Sequence, residues 1–416
     1  MTEYRTDCRL FTGFSPCRYR RPCAGCPHHQ PVGARILLIQ LDAMGDVLRM
    51  TALLPALRRA HRDAHITWLT RPECAPLLDH NPLVDRVLML GDATLATLES
   101  LRFDLALCPE KSVPACALLD VARAPVKKGF GLDAGGAIVP MDPDADALYA
   151  LGLDNHSKFF ENTKSAQQLA AEALGIPWHD DRYVVVLNDD ERALARGDRE
   201  LARVRDDEVL VGWNTGCGPR YPYKRLDVDD QVHLMKETWR RLRTPGRTAF
   251  AMLGGPDDAD RNAEVARRLA REGIAVAETP CDGGLRRGLA SVAACDMVVS
   301  GDTLGLHMAL GLRKPVVAWF GITCHQEIDV FGRGVLVLAD VPCRPCWLRS
   351  CSLETKCYRS LPWDDTASAV AEMADGLLRD GSWDGELLIG ELLRPDRVPP
   401  PLGDSPGPIL HLSEPA

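Results

Sequence analysis

The chain has 416 residues, 46% hydrophobic and 26% charged, a composition typical of a globular protein long enough for two or three domains. Its 49 basic and 58 acidic residues give a net charge of −9, which argues against nucleic-acid binding because a phosphate backbone attracts a basic surface. No run approaches about 18 apolar residues, and the N-terminus has charges and cysteines where a signal peptide has an apolar core, so we expect a soluble, cytoplasmic protein.

Strands and helices alternate through the first half of the chain, after a polar arm at 1–33. Residues 35–41 are a continuous apolar run typical of a buried parallel strand, and a loop then leads into an amphipathic helix predicted from Asp46 to about Ala60. Further strands are predicted at 66–69, 86–90, 105–108 and near 128–130, with helices at 75–78, 95–101 and up to Ala122. This alternation predicts a parallel sheet covered by helices on both faces.

A charged stretch with weaker periodicity, at about 140–205, separates this half from a second alternating series. In that series the strands are predicted at 208–213, 248–253, 297–300 and 315–319, and the helices at 229–242, 258–272, about 285–293 and 303–312. The predicted fold class is therefore α/β, with two Rossmann-like domains in tandem. We place the domains at 34–200 and 201–365, followed by a helical segment at 366–393 and a Pro- and Gly-rich tail at 394–416 that we expect to be poorly ordered.

The loops that follow the predicted strands are the first place to look for chemistry, because open parallel sheets bind ligands at the carboxyl ends of their strands. Four of these loops, at 42–46, 214–226, 254–260 and 301–307, are rich in Gly, Asp, Thr and Lys. This coincidence is the strongest functional signal that pattern alone gives. The sequence at 254–258 is not a GxGxxG fingerprint, so a dinucleotide cofactor is not indicated.

Each of these loops has a functional and a structural interpretation. Asp46, in the first turn of a helix, fits either a favourable charge at the helix dipole or a general base that takes a proton from a hydroxyl. Thr215 and Lys224 suit an anionic ligand, although a lysine in a loop is more commonly solvated. Asp258 and Asp302 each fit either a ligand contact or a helix cap.

Six segments carry a resemblance that goes beyond this pattern. They are LDAMGDVL at 41–48, PYKR at 222–225, LGGP at 253–256, VSGDTLGLH at 299–307, KPVV at 314–317 and FG at 320–321. In this order, over about residues 34–365, they resemble the ADP-heptose:lipopolysaccharide heptosyltransferase family, glycosyltransferase family 9. The resemblance implies the GT-B fold, in which two Rossmann-like domains face each other across a cleft, with the acceptor on the first and the nucleotide sugar on the second.

The resemblance also implies roles in a single displacement reaction. Asp46 falls on the family's catalytic base, Lys224 on the lysine that steadies the diphosphate, and Thr215 on a neighbouring phosphate contact. An acceptor hydroxyl, deprotonated by Asp46, would attack the anomeric carbon of the donor, and ADP would leave with inversion. The family needs no divalent cation for this transfer, and no Asp-x-Asp metal motif is apparent.

The remaining matched positions fall on the donor site of the family. Asp258 matches an acidic residue near the ADP ribose, and Asp302 and Thr303 match a donor-binding Asp-Thr pair. The family's Asp-Thr-Gly-x-x-His motif ends here at His307, and its glycine is displaced by one position to Gly305. This departure leaves the identity of the donor sugar open.

Partners follow from the same resemblance. The donor is expected to be an ADP-sugar such as ADP-heptose, and the acceptor a lipid-linked glycan of the lipopolysaccharide core or another part of the cell envelope, with no nucleic acid. Such acceptors lie at the inner face of the cytoplasmic membrane, which implies transient peripheral contact. Two alternatives stay open: a sugar-nucleotide epimerase on the same fold, and a nucleotide-sugar-binding regulator without transferase activity that carries a metal or iron–sulfur cluster.

Fifteen cysteines are many for this chain, and eight of them form two short clusters. Because no signal peptide is expected, ligation of a metal or cluster is favoured over disulfides, with free thiols or a redox pair as the alternative. Each cluster has one CxxC and two further thiols, enough for a four-thiolate Zn²⁺ or a [4Fe–4S] cluster. The clusters are Cys8, Cys17, Cys23 and Cys26 in the arm, and Cys343, Cys346, Cys351 and Cys357 in a second-domain loop at 343–357.

Overall fold

The computed structural model describes residues 4–218, 221–351 and 356–390 of the chain. The predicted tail at 394–416 lies outside these described residues. Two separate sheets, each accompanied by helices, confirm the predicted α/β fold class. Within the described ranges, none of the helices combines the length and the apolar character needed to cross a bilayer.

The first sheet has six strands. They are β1 (Arg35–Ile39), β2 (His65–Thr70), β3 (Arg86–Met89), β4 (Leu105–Cys108), β5 (Val126–Leu132) and β6 (Ile138–Pro140). Their order is β3-β2-β1-β4-β5-β6, and β6 pairs antiparallel with β5 while the other pairs are parallel. The run from Ile36 to Ile39 is fully buried, which places β1 at the centre of the sheet, as its unbroken apolar sequence predicts.

In the part of the chain that the structure describes, seven α-helices accompany this sheet and the segment that follows it. They are α1 (Met44–Met50), α2 (Leu53–Ala60), α3 (Thr94–Ser100), α4 (Val113–Val121), α5 (Asp146–Leu153), α6 (Ala166–Ala173) and α7 (Asp189–Leu201). The single helix predicted from Asp46 to Ala60 is wrong, because α1 and α2 are separate. Pro55 has no N–H to donate to Thr51, and the junction uses tighter bonds instead, such as Ala52 N to Arg49 O at 3.2 Å.

The second sheet has seven strands, all parallel. They are β7 (Val209–Asn214), β8 (Thr248–Leu253), β9 (Val276–Glu278), β10 (Met297–Gly301), β11 (Val316–Phe320), β12 (Arg333–Leu338) and β13 (Gly385–Ile389), in the order β13-β12-β11-β10-β7-β8-β9. The four predicted strands are confirmed, and β9, β12 and β13 are additional. β13 corrects the prediction of a helical segment up to residue 393.

Among the described residues, five α-helices belong to this half. They are α8 (Val228–Arg241), α9 (Ala259–Arg271), α10 (Gly284–Ala294), α11 (Leu304–Gly311) and α12 (Trp363–Asp380). α12 ends because Gly381 adopts the left-handed conformation with φ of 71°, and the chain then turns back into β13. α7 packs on α10, where Arg286 and Arg287 bond the carboxylates of Glu191 (2.5 Å) and Asp198 (2.8 Å).

The two sheets point their carboxyl ends at each other. The loop after β1 leads into α1, the loop after β10 leads into α11, and α1 and α11 are in contact. The segment that links the two halves is held on the first one by the bond from Val184 N to the Thr51 hydroxyl, at 2.9 Å. The polar loops named above therefore meet at one cleft.

Candidate functional site

The first domain contributes a carboxylate and a guanidinium from one helix. Asp46 lies in the first turn of α1, and its side chain is 37% exposed in the cleft. Arg49, one turn further on, donates to the Asp46 carboxylate. Burial would lower the pKa of Arg49, but the combined charges of Asp46 and the other acidic groups nearby outweigh it and raise that pKa above its usual value. The pair thus places a solvent-accessible acidic oxygen beside a permanent positive charge.

The second domain contributes a buried ion pair. Lys224 Nζ lies 2.8 Å from Asp302 Oδ2. Burial by itself would raise the pKa of Asp302, but the charge of Lys224 and the hydrogen bonds that Lys224 and Thr323 donate lower it to about 2. The Lys224 backbone is also fixed, since its carbonyl accepts a bond from Trp319 Nε1 at 3.1 Å. Asp302 therefore acts as an anchor that aims a charged ammonium group into the cleft.

His307 joins the two domains at the floor of the cleft. Its Nδ1 lies 3.4 Å from the Tyr183 hydroxyl and its Nε2 lies 3.8 Å from Asp302 Oδ1. Burial and the nearby Arg49 charge lower the pKa of His307 to about 4, so the ring is neutral near pH 7. A Cβ added to Gly45 would lie 2.6 Å from the His307 ring, so only glycine fits at that point of α1.

Asn214 organises the start of α11. Its side-chain amide donates to the Ser300 hydroxyl at 2.9 Å and to the Thr303 hydroxyl at 2.8 Å. A Cβ on Gly305 would lie 2.5 Å from the Asn214 side chain, which gives the displaced glycine of the motif a packing reason. Thr303 itself is the N-cap residue of α11 and faces the cleft, although its side chain caps no backbone N–H.

The structure gives Thr215 and Asp258 internal partners. The Thr215 side chain is buried and donates to Asn262 Oδ1. Asp258 Oδ2 accepts from Gly255 N at 2.9 Å, and its other oxygen pairs with Arg261. Asp258 lines a cavity next to the cleft, whereas Thr215 lines neither this cavity nor the cleft. Side-chain contacts of these two residues with a donor stay predictions.

Two adjoining cavities lie at the carboxyl ends of the strands. One, of about 460 Å³, brings Asp46, Lys224, Asp302, Thr303 and His307 together. The other, of about 340 Å³, lies beside the glycine-rich loops after β7 and β8 and is largely apolar. They share the lining residues 217–218 and 303–304, so one elongated ligand fits across both.

Several residues that sequence reasoning missed also line the cleft. Glu110, just after β4, accepts from Leu41 N at 2.6 Å and from Gln40 Nε2 at 3.1 Å, which braces the loop before α1. Burial raises the pKa of Glu110 to about 7. Because Glu110 directly follows a strand, the expectation that ligands bind at the carboxyl ends of parallel strands would have identified it from the sequence. Trp347, from the Cys-rich loop, lies with its ring centroid 6.0 Å from Lys224 Nζ, so that loop does border the cleft.

The cysteines are all free thiols in the structure. In the second-domain loop, burial raises the pKa of Cys357 to about 12, and the other three thiols are half-buried. Among the residues that the structure describes, no three His, Cys, Asp or Glu side chains are gathered as ligands of one metal ion. This geometry does not support the predicted Zn²⁺ site at either set of four cysteines, and the alternative of a [4Fe–4S] cluster stays a prediction.

We compared the chain with protein-family models, curated sequences and solved structures. No protein-family model matches the chain, and no curated protein matches it in sequence. Among solved structures, it is similar to a glycosyl transferase of family 9 from Veillonella parvula, with 16% identity, TM-score 0.63, and coverage of 84% of this chain and 98% of the other. It is also similar to the E. coli ADP-heptose lps heptosyltransferase II, with 18% identity, TM-score 0.59, and coverage of 83% and 99%.

A third similar structure is the E. coli heptosyltransferase WaaC with ADP, with 19% identity, TM-score 0.51, and coverage of 73% of this chain and 93% of the other. At these identities the likeness establishes the fold, which is that of GT-B glycosyltransferases. The resemblance predicted from the loop motifs is thus confirmed as structural similarity to family 9 glycosyltransferases, including ADP-heptose heptosyltransferases.

Proposed function

We propose that the chain is an inverting glycosyltransferase that moves a sugar from an ADP-sugar, heptose or a related sugar, to a hydroxyl of a glycan acceptor. The observation that carries this proposal is the meeting of Asp46 with the Lys224–Asp302 pair in one cleft. The cleft adjoins a second cavity that is large enough for a nucleotide, at the carboxyl ends of the strands.

Asp46 is the general base of this proposal. It is the cleft carboxylate of α1, it is partly exposed, and Arg49 donates to it and holds its orientation. Asp302 is unsuited to that role because its carboxylate is buried against Lys224. His307, neutral and hydrogen-bonded to Tyr183, positions Asp302 and closes the floor beneath the reacting atoms.

Lys224 and the start of α11 receive the leaving diphosphate. The Lys224 ammonium supplies a positive charge, and the N–H groups at Thr303 and the residues after it are free of earlier helical partners. The backbone of residues 216–218 borders the same space. These groups stabilise the charge that grows on the diphosphate as the glycosidic bond breaks, which is where preorganised donors accelerate a reaction most.

The adjoining cavity takes the nucleoside of the donor. Its walls include Leu285, Val292 and Met308, which suit the flat faces of a purine base. Asp258 lies on the same wall, where its predicted contact with the ribose would require one oxygen to be shared with Gly255 or Arg261. The glycines at 254 and 255 leave room for close approach by the ribose and phosphates.

The reaction is a single displacement. Asp46 takes the proton of the acceptor hydroxyl, the oxygen forms a bond to the anomeric carbon, and the bond from that carbon to the diphosphate oxygen breaks. ADP leaves with both electrons of that bond, and the configuration at the sugar carbon inverts. Since Lys224 and backbone N–H groups serve the leaving group, we expect transfer to proceed without a divalent cation.

The acceptor of this proposal is a lipid-linked glycan of the lipopolysaccharide core or another part of the cell envelope. Its support is the resemblance of the loop motifs together with the shared fold. In that role the protein works in the cytoplasm, in transient contact with the inner face of the membrane. The acceptor side is the 460 Å³ cavity, which is open to solvent next to Asp46.

Nucleotide binding tests the donor half of the proposal. Thermal unfolding is measured with ADP, UDP, GDP, CMP and NAD, on the unchanged chain, Asp302→Ala and the surface control Asp154→Asn. A ligand at 100 times its Kd adds about 2.7 kcal/mol of stability. Selective stabilisation by ADP that is lost in Asp302→Ala supports the proposal. Preference for UDP or another nucleotide overturns the ADP-sugar donor, and no response to any nucleotide overturns the transferase assignment.

A further inference from the structure

The N-terminal arm, residues 4–33, is an ordered segment without a core of its own. None of its side chains is fully buried, and Phe14 is 94% exposed. The arm has no helix, and its only pairing is an isolated bridge between Cys8 and Pro31. A segment that buries so little apolar surface lacks the usual driving force for a fixed conformation, and small segments of this kind are commonly stapled by disulfides or metals.

The four cysteines of the arm each start a tight turn. The carbonyl oxygens of Cys8, Cys17, Cys23 and Cys26 each accept a hydrogen bond from the backbone N–H three residues further on, at 2.9, 2.8, 3.1 and 3.4 Å. The backbone therefore bends at every one of the four thiols. Repeated bends of this kind turn an irregular segment around a common centre.

That common centre is a cavity of about 180 Å³, which all four cysteines line. The Tyr19 ring, stacked on the His28 ring with centroids 3.8 Å apart, forms part of its wall. No disulfide joins these thiols. The arm is tied to the first domain by Arg9, whose Nε lies 2.5 Å from Asp85 Oδ1.

The size of the cavity that the four thiols share indicates the size of the group that fits. A zinc ion holds four sulfurs at about 2.3 Å, which draws them to within about 4 Å of one another. Within the described ranges, no three potential ligands are gathered around one ion position in this way, yet the four thiols surround a shared space several times the volume of a water molecule. A cubane cluster spaces its four thiolates around a larger inorganic core.

We propose that the arm binds one [4Fe–4S] cluster through Cys8, Cys17, Cys23 and Cys26. Each thiol gives up its proton and forms one bond to one iron, and the inorganic core fills the cavity. The cluster fixes the turns of the arm to one another, directly before β1 in the chain. This assignment does not depend on the transferase activity, and it distinguishes the arm from the second-domain thiols.

Iron and sulfide analysis of the full chain tests the assignment. The protein is purified without oxygen, or reconstituted with ferrous and ferric salts and sulfide, and we expect about four iron and four sulfide per chain. Cys17→Ser and Cys23→Ser should lose most of this iron. The matched controls Cys343→Ser and Cys351→Ser, which also replace half-buried free thiols, should keep it.

A second measurement, made on the unchanged protein, tests the assignment even if the cysteine variants do not fold. In the unchanged protein, alkylation followed by mass spectrometry should show the four arm thiols protected with the cluster and reactive after chelation. One zinc per chain, an absence of iron and sulfide, or equal alkylation of the arm thiols in both states would each overturn the assignment. Iron that survives the arm substitutions but is lost in Cys343→Ser would overturn it as well.

Discussion

Gly45 is a position at which the two domains approach closely beside the reacting groups. A Cβ added there would lie 2.6 Å from Cδ2 and 3.1 Å from Nε2 of His307. The His307 ring cannot easily yield, because it is buried and held between Tyr183 and Asp302. The substitution Gly45→Ala must therefore push α1 away from α11 and open the floor of the cleft.

The size of the effect follows from two opposing contributions. Overpacking by a methyl group at a tight contact typically costs about 1–3 kcal/mol. Alanine in place of glycine within a helix returns about 0.5–1 kcal/mol. We expect a net loss of about 0.5–2 kcal/mol in the free energy of unfolding, with Tm lower by roughly 2–4 °C for each kcal/mol.

Thermal or denaturant unfolding measures this loss, with Gly197→Ala as the matched control. Gly197 lies within α7 and a Cβ there would meet no atom within 4 Å, so alanine should stabilise at that site. In the double variant Gly45→Ala/His307→Ala the added methyl group no longer meets the imidazole ring. The double variant should therefore lose less stability than the sum of the two single variants, by at least about 0.5 kcal/mol. Additive effects in the double variant would refute the close packing of α1 on His307.

Three further outcomes test the charges of the site. Asp46→Asn should lower kcat by about 10²–10⁴-fold in a turnover assay while calorimetry shows ADP affinity unchanged, because a base acts on the acceptor; a loss of ADP binding would contradict this role. Lys224→Met should weaken ADP binding at least tenfold and raise the pKa of Asp302, whose burial is then unopposed by the lysine charge; unchanged ADP affinity would contradict a diphosphate contact. The pKa of His307 is about 4 in the folded protein against an ordinary value of 6.5, so as the pH falls the unfolded chain binds this proton at a higher pH than the folded protein does. Stability should therefore fall as pH drops from about 6.5 to 4, and His307→Gln should flatten this part of the denaturation profile, whereas an unchanged slope would contradict a buried neutral ring.

The alternating pattern predicted the core of each sheet because buried parallel strands are unbroken apolar runs. β1 and β10 lie where the sequence placed them, and the loops after them meet at the cleft. The convergence of Asp46 with Lys224 and Asp302 follows from one rule, that parallel strands end at a common edge.

Other features depend on groups that are distant in sequence. The break between α1 and α2 comes from Pro55, which a count of apolar periodicity does not register. β12 and β13 pair because α12 returns the chain to the sheet edge. β13 is largely exposed and its apolar run is only three residues long, at 387–389, so the sequence does not single it out as a strand. Such pairing is set by tertiary packing.

The side-chain contacts within the site could not be predicted from the sequence either. Nothing local indicates that the Thr215 hydroxyl bonds Asn262 or that His307 packs on Gly45 across the domain boundary. The pair of Arg49 and Asp46 could have been predicted, because the two residues are three positions apart on a helix. Glu110 could have been predicted as a site residue from its place directly after β4. The common cavity of the arm cysteines depends on four turns whose positions spacing alone does not fix.

Sugar transfer itself is the most direct test of the account. The purified chain is incubated with ADP-heptose and a lipopolysaccharide inner-core acceptor, with and without a chelator, and the product is weighed by mass spectrometry and its linkage assigned by NMR. We expect the acceptor to gain one heptose with inverted anomeric configuration, ADP to be released only when acceptor is present, and Asp46→Asn to slow both by about 10²–10⁴-fold. Donor turnover without any acceptor, or no turnover of an ADP-sugar that binds well, would contradict the assignment of this cleft as a glycosyltransferase site.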